Sequence, residues 1–201
     1  MLGGDPRRIR MAYSLMFSLP GTPTLYYGEE IGMGEDLTAE GRMAVRTPMQ
    51  WAPGPSGGFS SAPPSRLIQR PTPDGYGPEH VNVKDQRHYP DSLWTFMREV
   101  ISLRRTCPEL GWGELTVLES GNDRVLAHRC DLDESAVIAV HNLGADPVSV
   151  SVAVDGLDDG MELVDLLQRD ALPVESGPLE LALPGYGFHW FRLGGKGQLG
   201  A

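Results

Sequence analysis

Glu29 and Glu30 are adjacent carboxylates that follow the short apolar run TLYY at residues 24–27. If that run is a strand of a parallel sheet or barrel, its carboxyl end faces the active site, where carboxylates can act as acids and bases. Acid–base chemistry with a pair of carboxylates needs the two groups held about 5 to 9 Å apart across the substrate. Adjacent side chains usually point in different directions, so we favour a loop or capping role for Glu29 and Glu30.

Arg46, Trp51 and Phe59 are the candidates for ligand contact in the proline-rich stretch that follows. Arg46 lies in the segment RTPMQW, where its fork of donors could hold a polar substrate or an acidic side chain. A structural ion pair is an equal alternative for Arg46. Trp51 and Phe59 could stack on a sugar or anchor the loop, and anchoring is the favoured interpretation.

Metal, cofactor and nucleophile chemistry have no recognisable pattern in this sequence. Cys107 and Cys130 lack CxxC spacing, and we expect two free thiols of a reducing compartment. The motifs G-x-S-x-G, P-loop and G-x-G-x-x-G are absent. We therefore expect no metal and no cofactor. We also expect sheet-face or surface positions for the widely spaced histidines His80, His88, His128, His141 and His189.

The first half of the chain begins with a predicted helix and a predicted strand. Asp5 is a suitable N-cap with Pro6 at the first helical position, and Pro20-Gly21 ends the apolar helical period. Residues 24–27 form a short, aromatic run closed by Gly28, which predicts one buried strand of a parallel sheet.

A long loop and a second helix complete this half. Residues 32–90 have almost no apolar period but contain scattered apolar and aromatic residues, which indicates an ordered loop rather than a linker. Residues 91–106 return to a 3.6-residue period and predict a helix, with Arg104 and Arg105 near its carboxyl end.

The second half changes from helical periodicity to alternation. Short alternating runs separated by turn residues predict an antiparallel sandwich beyond about residue 107, followed by a flexible tail at residues 195–201. The predicted strands are GELTVLES, RVLAHRCD, SAVIAVHNL, PVSVSVAV, GMELVDLL, LELALP and GFHWFRL.

The net charge of −10 belongs entirely to this second half. Residues 111–201 carry five Lys/Arg and fifteen Asp/Glu, whereas residues 1–110 carry twelve of each. An acidic surface repels phosphate backbones and anionic lipid, so we expect neither a nucleic-acid nor a membrane partner. No run approaches the roughly 18 apolar residues of a membrane span. The charged first ten residues lack a secretory apolar region, and we expect a cytoplasmic location.

Three ordered blocks resemble the α-amylase superfamily, glycoside hydrolase family 13. The blocks are FSLPGTPTLYYGEEIGMGEDL, GRMAVRTPMQWAPGPSGGFSSA and VNVKDQRHYPDSLWTFMREVISLRR, and the resemblance extends over roughly residues 1–193. Within this family, GEEIGMGEDL, RTPMQW and PELGWGE are most similar to trehalose synthases, which interconvert maltose and trehalose. Oligo-glucosidases and α-amylases share part of the same blocks.

The resemblance implies an α/β plus all-β architecture. Residues 1–106 would be the terminal strand, loop and helix of a TIM (β/α)8 barrel, and residues 107–194 an antiparallel β-sandwich domain. In this family the catalytic groups are two aspartates and a glutamate at the ends of earlier barrel strands, and none can be assigned here. We therefore expect a truncated product with no catalytic residue. The resemblance also implies that Arg46 and Gln50 contact the acceptor sugar.

These expectations leave three functions open. The chain could be the C-terminal part of a trehalose synthase-like enzyme, inactive alone, with an α-glucosidase or α-amylase-type hydrolase as the alternative parent. It could instead complete a split enzyme by joining the missing N-terminal barrel polypeptide. In both cases maltose, trehalose or another α-glucoside would bind through the parent barrel. The third possibility is a non-catalytic carbohydrate-binding or assembly module.

Overall fold

A computed structural model describes residues 3–159, 161–174 and 177–194 of the 201-residue chain. The chain divides into two compact units: one combines residues up to Pro23 with those from Val100 onward, and the other is Thr24–Glu99. The expected tail at residues 195–201 lies outside the described residues. No helix in the described ranges has the length and hydropathy that crossing a membrane requires.

Helix α1 (Pro6–Ser18) opens the first unit as the sequence predicts. The Asp5 carboxylate accepts a hydrogen bond from the Arg7 N–H at 2.9 Å, which satisfies one of the free donors of the first turn. The helix ends because Leu19 precedes Pro20 and takes the extended conformation (ψ 150°) that proline imposes on the residue before it. Its buried residues are Met11, Ser14, Phe17 and Ser18.

The other helices are α2 (Val83–Gln86), α3 (Leu93–Arg105) and α4 (Glu109–Trp112). Helix α3 confirms the helix predicted over residues 91–106. Ser92 precedes it, and the Ser92 hydroxyl oxygen accepts a hydrogen bond from the Thr95 N–H at 3.1 Å.

Eight antiparallel strands are present in the described part of the first unit. They are β1 (Glu114–Leu118), β2 (Val125–Leu132), β3 (Ser135–Asn142), β4 (Val148–Val152), β5 (Glu162–Asp165), β6 (Ala171–Pro173), β7 (Leu179–Leu183) and β8 (Phe188–Gly194). A six-stranded sheet has the order β1-β2-β3-β8-β5-β6, and β4 pairs with β7 in a second sheet. All seven predicted strands are confirmed. Strand β6 is an addition that its three residues and terminal proline did not signal.

The two sheets share one hydrophobic core. Ile138 and Val140 of β3 belong to the same buried cluster as Val150 and Val152 of β4 and Leu183 of β7. Strand β3 lies between β2 and β8, and α1 contacts β3 and β8. Residues 136–142 of β3 are therefore all buried, whereas a strand with one solvated face would alternate.

The buried strand predicted at residues 24–27 is wrong. These residues belong to no sheet, and the Tyr26 and Tyr27 side chains are 43% and 44% exposed. A run of apolar and aromatic residues gives only a propensity for the strand conformation. A strand also needs a neighbour to pair its backbone N–H and C=O groups, and no described strand pairs with this segment.

Before α3 begins, the unit Thr24–Glu99 is built from short turns and the four-residue helix α2. One-turn 3₁₀ helices occur at Glu29–Ile31, Gly41–Val45, Pro64–Arg66 and Asp74–Tyr76. Ile31, Met49 and Val83 form a small buried cluster in this unit. The Gln50 and Trp51 carbonyls accept hydrogen bonds from the Val83 and Lys84 N–H groups, each at 3.0 Å. The expectation of an ordered loop over residues 32–90 is thus confirmed.

Candidate functional site

A groove of about 670 Å³ opens on the unit Thr24–Glu99, and we take it as the candidate site. Most of its wall is apolar or aromatic, which is typical of small-molecule sites. The apolar and aromatic part of that wall comprises Tyr27, Pro48, Met49, Trp51, Phe59, Leu67 and Ile68.

Arg46 provides a cation at this groove. It follows the turn Gly41–Val45, its side chain is exposed, and no ion pair among the described residues includes it. Of the two alternatives raised by the sequence, the internal ion pair therefore does not form in the described structure. The exposed guanidinium remains available for a polar ligand.

Glu30 is the one carboxylate among the described residues that line the groove. Its Oε2 atom accepts a hydrogen bond from the Gly28 N–H at 2.7 Å, and Glu29 Oε2 accepts one from the Tyr26 N–H at 3.2 Å. Both carboxylates thus hold the turn Glu29–Ile31, which confirms the expected loop role.

Gly28 makes this turn possible. Its φ of 92° lies in the region that favours glycine, and a Cβ atom there would be 2.7 Å from Met33 Sδ. Because this conformation strains any residue with a Cβ atom, and that atom would also force Met33 to shift, the position of Glu30 at the groove depends on this glycine.

Tyr27 joins the turn to the segment that carries Arg46. The Tyr27 hydroxyl donates a hydrogen bond to the Thr47 carbonyl at 2.9 Å. Burial and the hydrogen bond with the neighbouring Tyr26 raise the pKa of Tyr27, against a smaller opposing effect of Arg46. The hydroxyl therefore stays protonated at neutral pH and keeps donating to Thr47.

Gln50 is fully buried beneath the loop rather than exposed at the groove. Its Nε2 atom donates hydrogen bonds to the Tyr76 carbonyl at 2.9 Å and the Val81 carbonyl at 2.6 Å. These bonds fix the segment between Met49 and Trp51, both of which line the groove. The prediction that Gln50 contacts a sugar stays a prediction.

Trp51 and Phe59 are half-exposed, at 52% and 54%. Neither ring is a buried anchor, so the favoured interpretation from the sequence does not describe them. Sequence reasoning identified both residues but could not distinguish the roles, because periodicity does not report which face of a loop side chain is covered.

The histidines of the sheet serve the fold. His128 and His141 are buried at 1% and 0% exposure, and His141 Nε2 lies 2.9 Å from Ser14 Oγ of α1. His189 is paired through Nδ1 with Asp165 Oδ2 at 2.5 Å. Burial alone would raise the pKa of Asp165, but hydrogen bonds from His189 and from backbone N–H groups outweigh it and lower the pKa.

Neither a disulfide nor a metal cluster is present among the described residues. Cys107 and Cys130 are free thiols, and both are buried. Within the ranges that the structure describes, no three His, Cys, Asp or Glu side chains could hold a metal ion together.

Comparisons with known protein families divide the chain in two. Residues 2–113 match the family described as α-amylase catalytic domain. Residues 134–192 match the sucrose hydrolase-like C-terminal domain.

Comparisons with individual proteins give near-complete coverage of this chain. It is 37% identical over 198 residues to trehalose synthase/amylase TreS of Mycobacterium tuberculosis, covering 96% of this chain and 33% of that protein. Trehalose synthase of Thermus thermophilus is also 37% identical, with 96% and 20% covered. The crystal structure of Bacillus licheniformis trehalose-6-phosphate hydrolase has the same fold at 20% identity, with a TM-score of 0.76 over 96% of this chain and 40% of that one. The chain thus spans a third or less of the length of these curated relatives.

Proposed function

Because this chain belongs to the α-amylase family, we propose that it is the C-terminal part of an α-glucoside-acting enzyme, most like trehalose synthase. The observation that carries this proposal is the 37% identity to trehalose synthases across 96% of the chain. In the parent, maltose and trehalose would be the substrates, and the catalytic carboxylates would lie in the part of the enzyme that this chain does not cover.

The proposed architecture assigns residues 1–106 to the end of a (β/α)8 barrel and residues 107–194 to a β-sandwich. The α-amylase catalytic-domain match over residues 2–113 supports the first assignment. The common core of the two antiparallel sheets supports the second. In this arrangement residues 24–27 would become the closing barrel strand when neighbouring strands pair with them, which would also cover the exposed rings of Tyr26 and Tyr27.

The groove would then receive the acceptor sugar of the parent enzyme. We propose that Arg46 donates hydrogen bonds to sugar hydroxyls and that the half-exposed Trp51 and Phe59 rings pack against the sugar face. Gln50 would contribute by holding the segment that carries Trp51.

The isolated chain would be inactive under this proposal. Retaining glycosidases need two carboxyl groups about 5 to 5.5 Å apart. Glu30 is the one carboxylate of the described groove wall, and it already accepts the Gly28 N–H. Exposed apolar groups such as Ile68, at 98%, support the further expectation that the isolated chain binds apolar dyes.

Maltose turnover by the purified chain is the direct test. We expect no trehalose and no glucose above a buffer control when products are separated by chromatography after long incubation. Fluorescence of an added apolar dye should rise on mixing with the folded chain. Isomerisation or hydrolysis of maltose by the pure chain would overturn the proposal.

Co-expression with a polypeptide supplying the remaining barrel strands tests whether the chain completes a split enzyme. A soluble active complex would support that alternative, and its products would separate the two parents. Trehalose formed from maltose indicates an isomerase, whereas glucose as sole product indicates a hydrolase.

A further inference from the structure

A second pocket, of about 500 Å³, lies beside the groove in the unit Thr24–Glu99, and its lining is basic. We call it the basic pocket; it is lined by Trp51, Val83, Lys84, Arg87 and His88. None of these residues is acidic, although the whole chain has a net charge of −10. A concentration of positive side chains around a concave surface attracts anions.

The spacing of the three basic residues places them on one side of α2 and its continuation. Lys84, Arg87 and His88 are separated by three and four positions, the intervals at which helical side chains are neighbours. The helical turn continues beyond Gln86, because the Arg87 N–H donates to the Val83 carbonyl at 3.0 Å. All three side chains are exposed.

The charges of this set are not neutralised internally. No ion pair among the described residues involves Lys84 or Arg87. Asp85 lies between them in sequence, but its Oδ2 atom accepts a hydrogen bond from Asn82 Nδ2 at 2.8 Å. The Asp85 carboxylate is thus hydrogen-bonded to Asn82, the N-cap residue of α2.

Two of the basic side chains are already held in position. The Arg87 guanidinium lies over the Trp94 ring, 5.7 Å from its centroid. His88 Nδ1 lies 2.7 Å from the Lys84 carbonyl oxygen, so Nδ1 is the donor and Nε2 is the ring nitrogen that can meet a ligand. Such preorganisation lowers the entropic cost of binding.

Trp51 adds a flat apolar face to the same pocket. Its ring is 52% exposed, and the Lys84 N–H donates to the Trp51 carbonyl at 3.0 Å, which fixes the distance between Trp51 and α2. Trp51 also lines the groove, so the two cavities meet at this residue. An anion with an attached ring could therefore use the cations and the indole together.

We propose that the basic pocket binds a sugar phosphate. The phosphate would accept hydrogen bonds from Lys84 and Arg87, with His88 beside them, and the sugar ring would pack on Trp51. This site goes beyond the proposed function because it needs none of the catalytic groups of the parent enzyme. Its test measures binding by the 201-residue chain alone, so its outcome is independent of maltose turnover.

Calorimetric titration with glucose 1-phosphate at constant ionic strength tests the proposal. We expect saturable binding and about tenfold weaker binding of inorganic phosphate. The double variant Lys84→Met/Arg87→Met should weaken binding at least about tenfold, because charge-assisted hydrogen bonds are lost. Trp51→Leu should weaken it several-fold, whereas Trp51→Phe should retain most of the affinity.

The matched control is Arg42→Met/Arg70→Met, which removes the same number of charges from exposed positions outside both cavities. It should bind glucose 1-phosphate like the parent sequence, and circular dichroism should be the same for all variants. Absence of binding, equal loss in the control, or binding insensitive to Lys84 and Arg87 would overturn the site. Inorganic phosphate binding as tightly as glucose 1-phosphate, or no effect of Trp51→Leu, would overturn the role of the sugar ring.

Discussion

Ser14 links helix α1 to the sheet through two ring nitrogens. Its hydroxyl oxygen accepts a hydrogen bond from Trp190 Nε1 at 3.0 Å and lies 2.9 Å from His141 Nε2, with which it shares a second hydrogen bond. Burial lowers the pKa of His141, so its ring is neutral at neutral pH. No partner for Nδ1 exists among the described residues, and the ring stacks parallel to His128 at 6.0 Å.

Acid should destabilise the fold through these two histidines. Burial, and secondarily the neighbouring His128, lowers the pKa of His141 to about 3, and burial also lowers the pKa of His128. The unfolded chain then binds protons that the folded chain does not, so stability falls as pH drops below about 6.5. Each histidine contributes a slope of up to about 1.4 kcal/mol per pH unit.

Urea unfolding at pH 7, 6 and 5 measures this slope. The variant His141→Gln should be less stable at pH 7, because Ser14 loses its partner, but its stability should change less with pH. An unchanged pH slope in the variant would show that His141 does not titrate on unfolding.

At the scale of elements, Arg104 of α3 joins the end of α1 to α4. Its guanidinium donates hydrogen bonds to the carbonyls of Phe17, of Leu19 at 3.0 Å, of Gly21 at 2.6 Å and of Leu110 at 3.1 Å. The last carbonyls of a helix have no partner within it, and a cation is favourable at that end. Arg104 supplies both the hydrogen-bond donors and the positive charge at the carboxyl end of α1.

The variant Arg104→Gln should lower the free energy of unfolding by about 1.5 to 3 kcal/mol, because the carbonyls lose charged donors. Urea unfolding followed by circular dichroism measures the loss. Arg105→Gln is the control, since Arg105 is exposed and adjacent and should change stability by less than about 0.5 kcal/mol. Equal effects of both substitutions would contradict the role assigned to Arg104.

Elements with complete local signals were predictable from the sequence. Asp5, Pro6 and Pro20 mark both ends of α1, and alternation identified every strand of four or more residues. The strand prediction for residues 24–27 was wrong because the sequence of a segment shows its propensity for the strand conformation but not whether another strand pairs with it. The groove was only partly predictable: Arg46, Trp51 and Phe59 were identified by residue type, but their exposure depends on how the loop folds.

The Ser14–His141–Trp190 contacts join Ser14 to residues more than a hundred positions away, and no local pattern signals them.

At the scale of the whole molecule, the two compact units differ in how much apolar surface they bury. A buried cluster of Thr24–Glu99 contains Ile31, Met49 and Val83, and Met97 is also buried there, whereas the sheets share a buried cluster of 13 residues. Local opening is easier where few buried apolar contacts oppose it. The two units should therefore differ in their protection against exchange with solvent.

Hydrogen exchange followed by mass spectrometry should reveal this difference. Peptides from residues 32–80 should exchange faster than those of β3 and β8 under native conditions. The internal reference is β4, which lies in the smaller sheet but shares the core of β3. Equal protection of residues 32–80 and β3 would show that the chain opens as one cooperative body.

The packing of α1 on β3 and β8 has a practical consequence for anyone dissecting this protein. A polypeptide starting at residue 107 would include every strand but would leave the Trp190 indole N–H and the His141 imidazole without the serine that they share. The face of the sheet that α1 covers would then be exposed to solvent and prone to non-specific association. A change in sugar binding by such a truncated polypeptide would therefore reflect the loss of α1. Supplying the first nineteen residues as well would remove this effect.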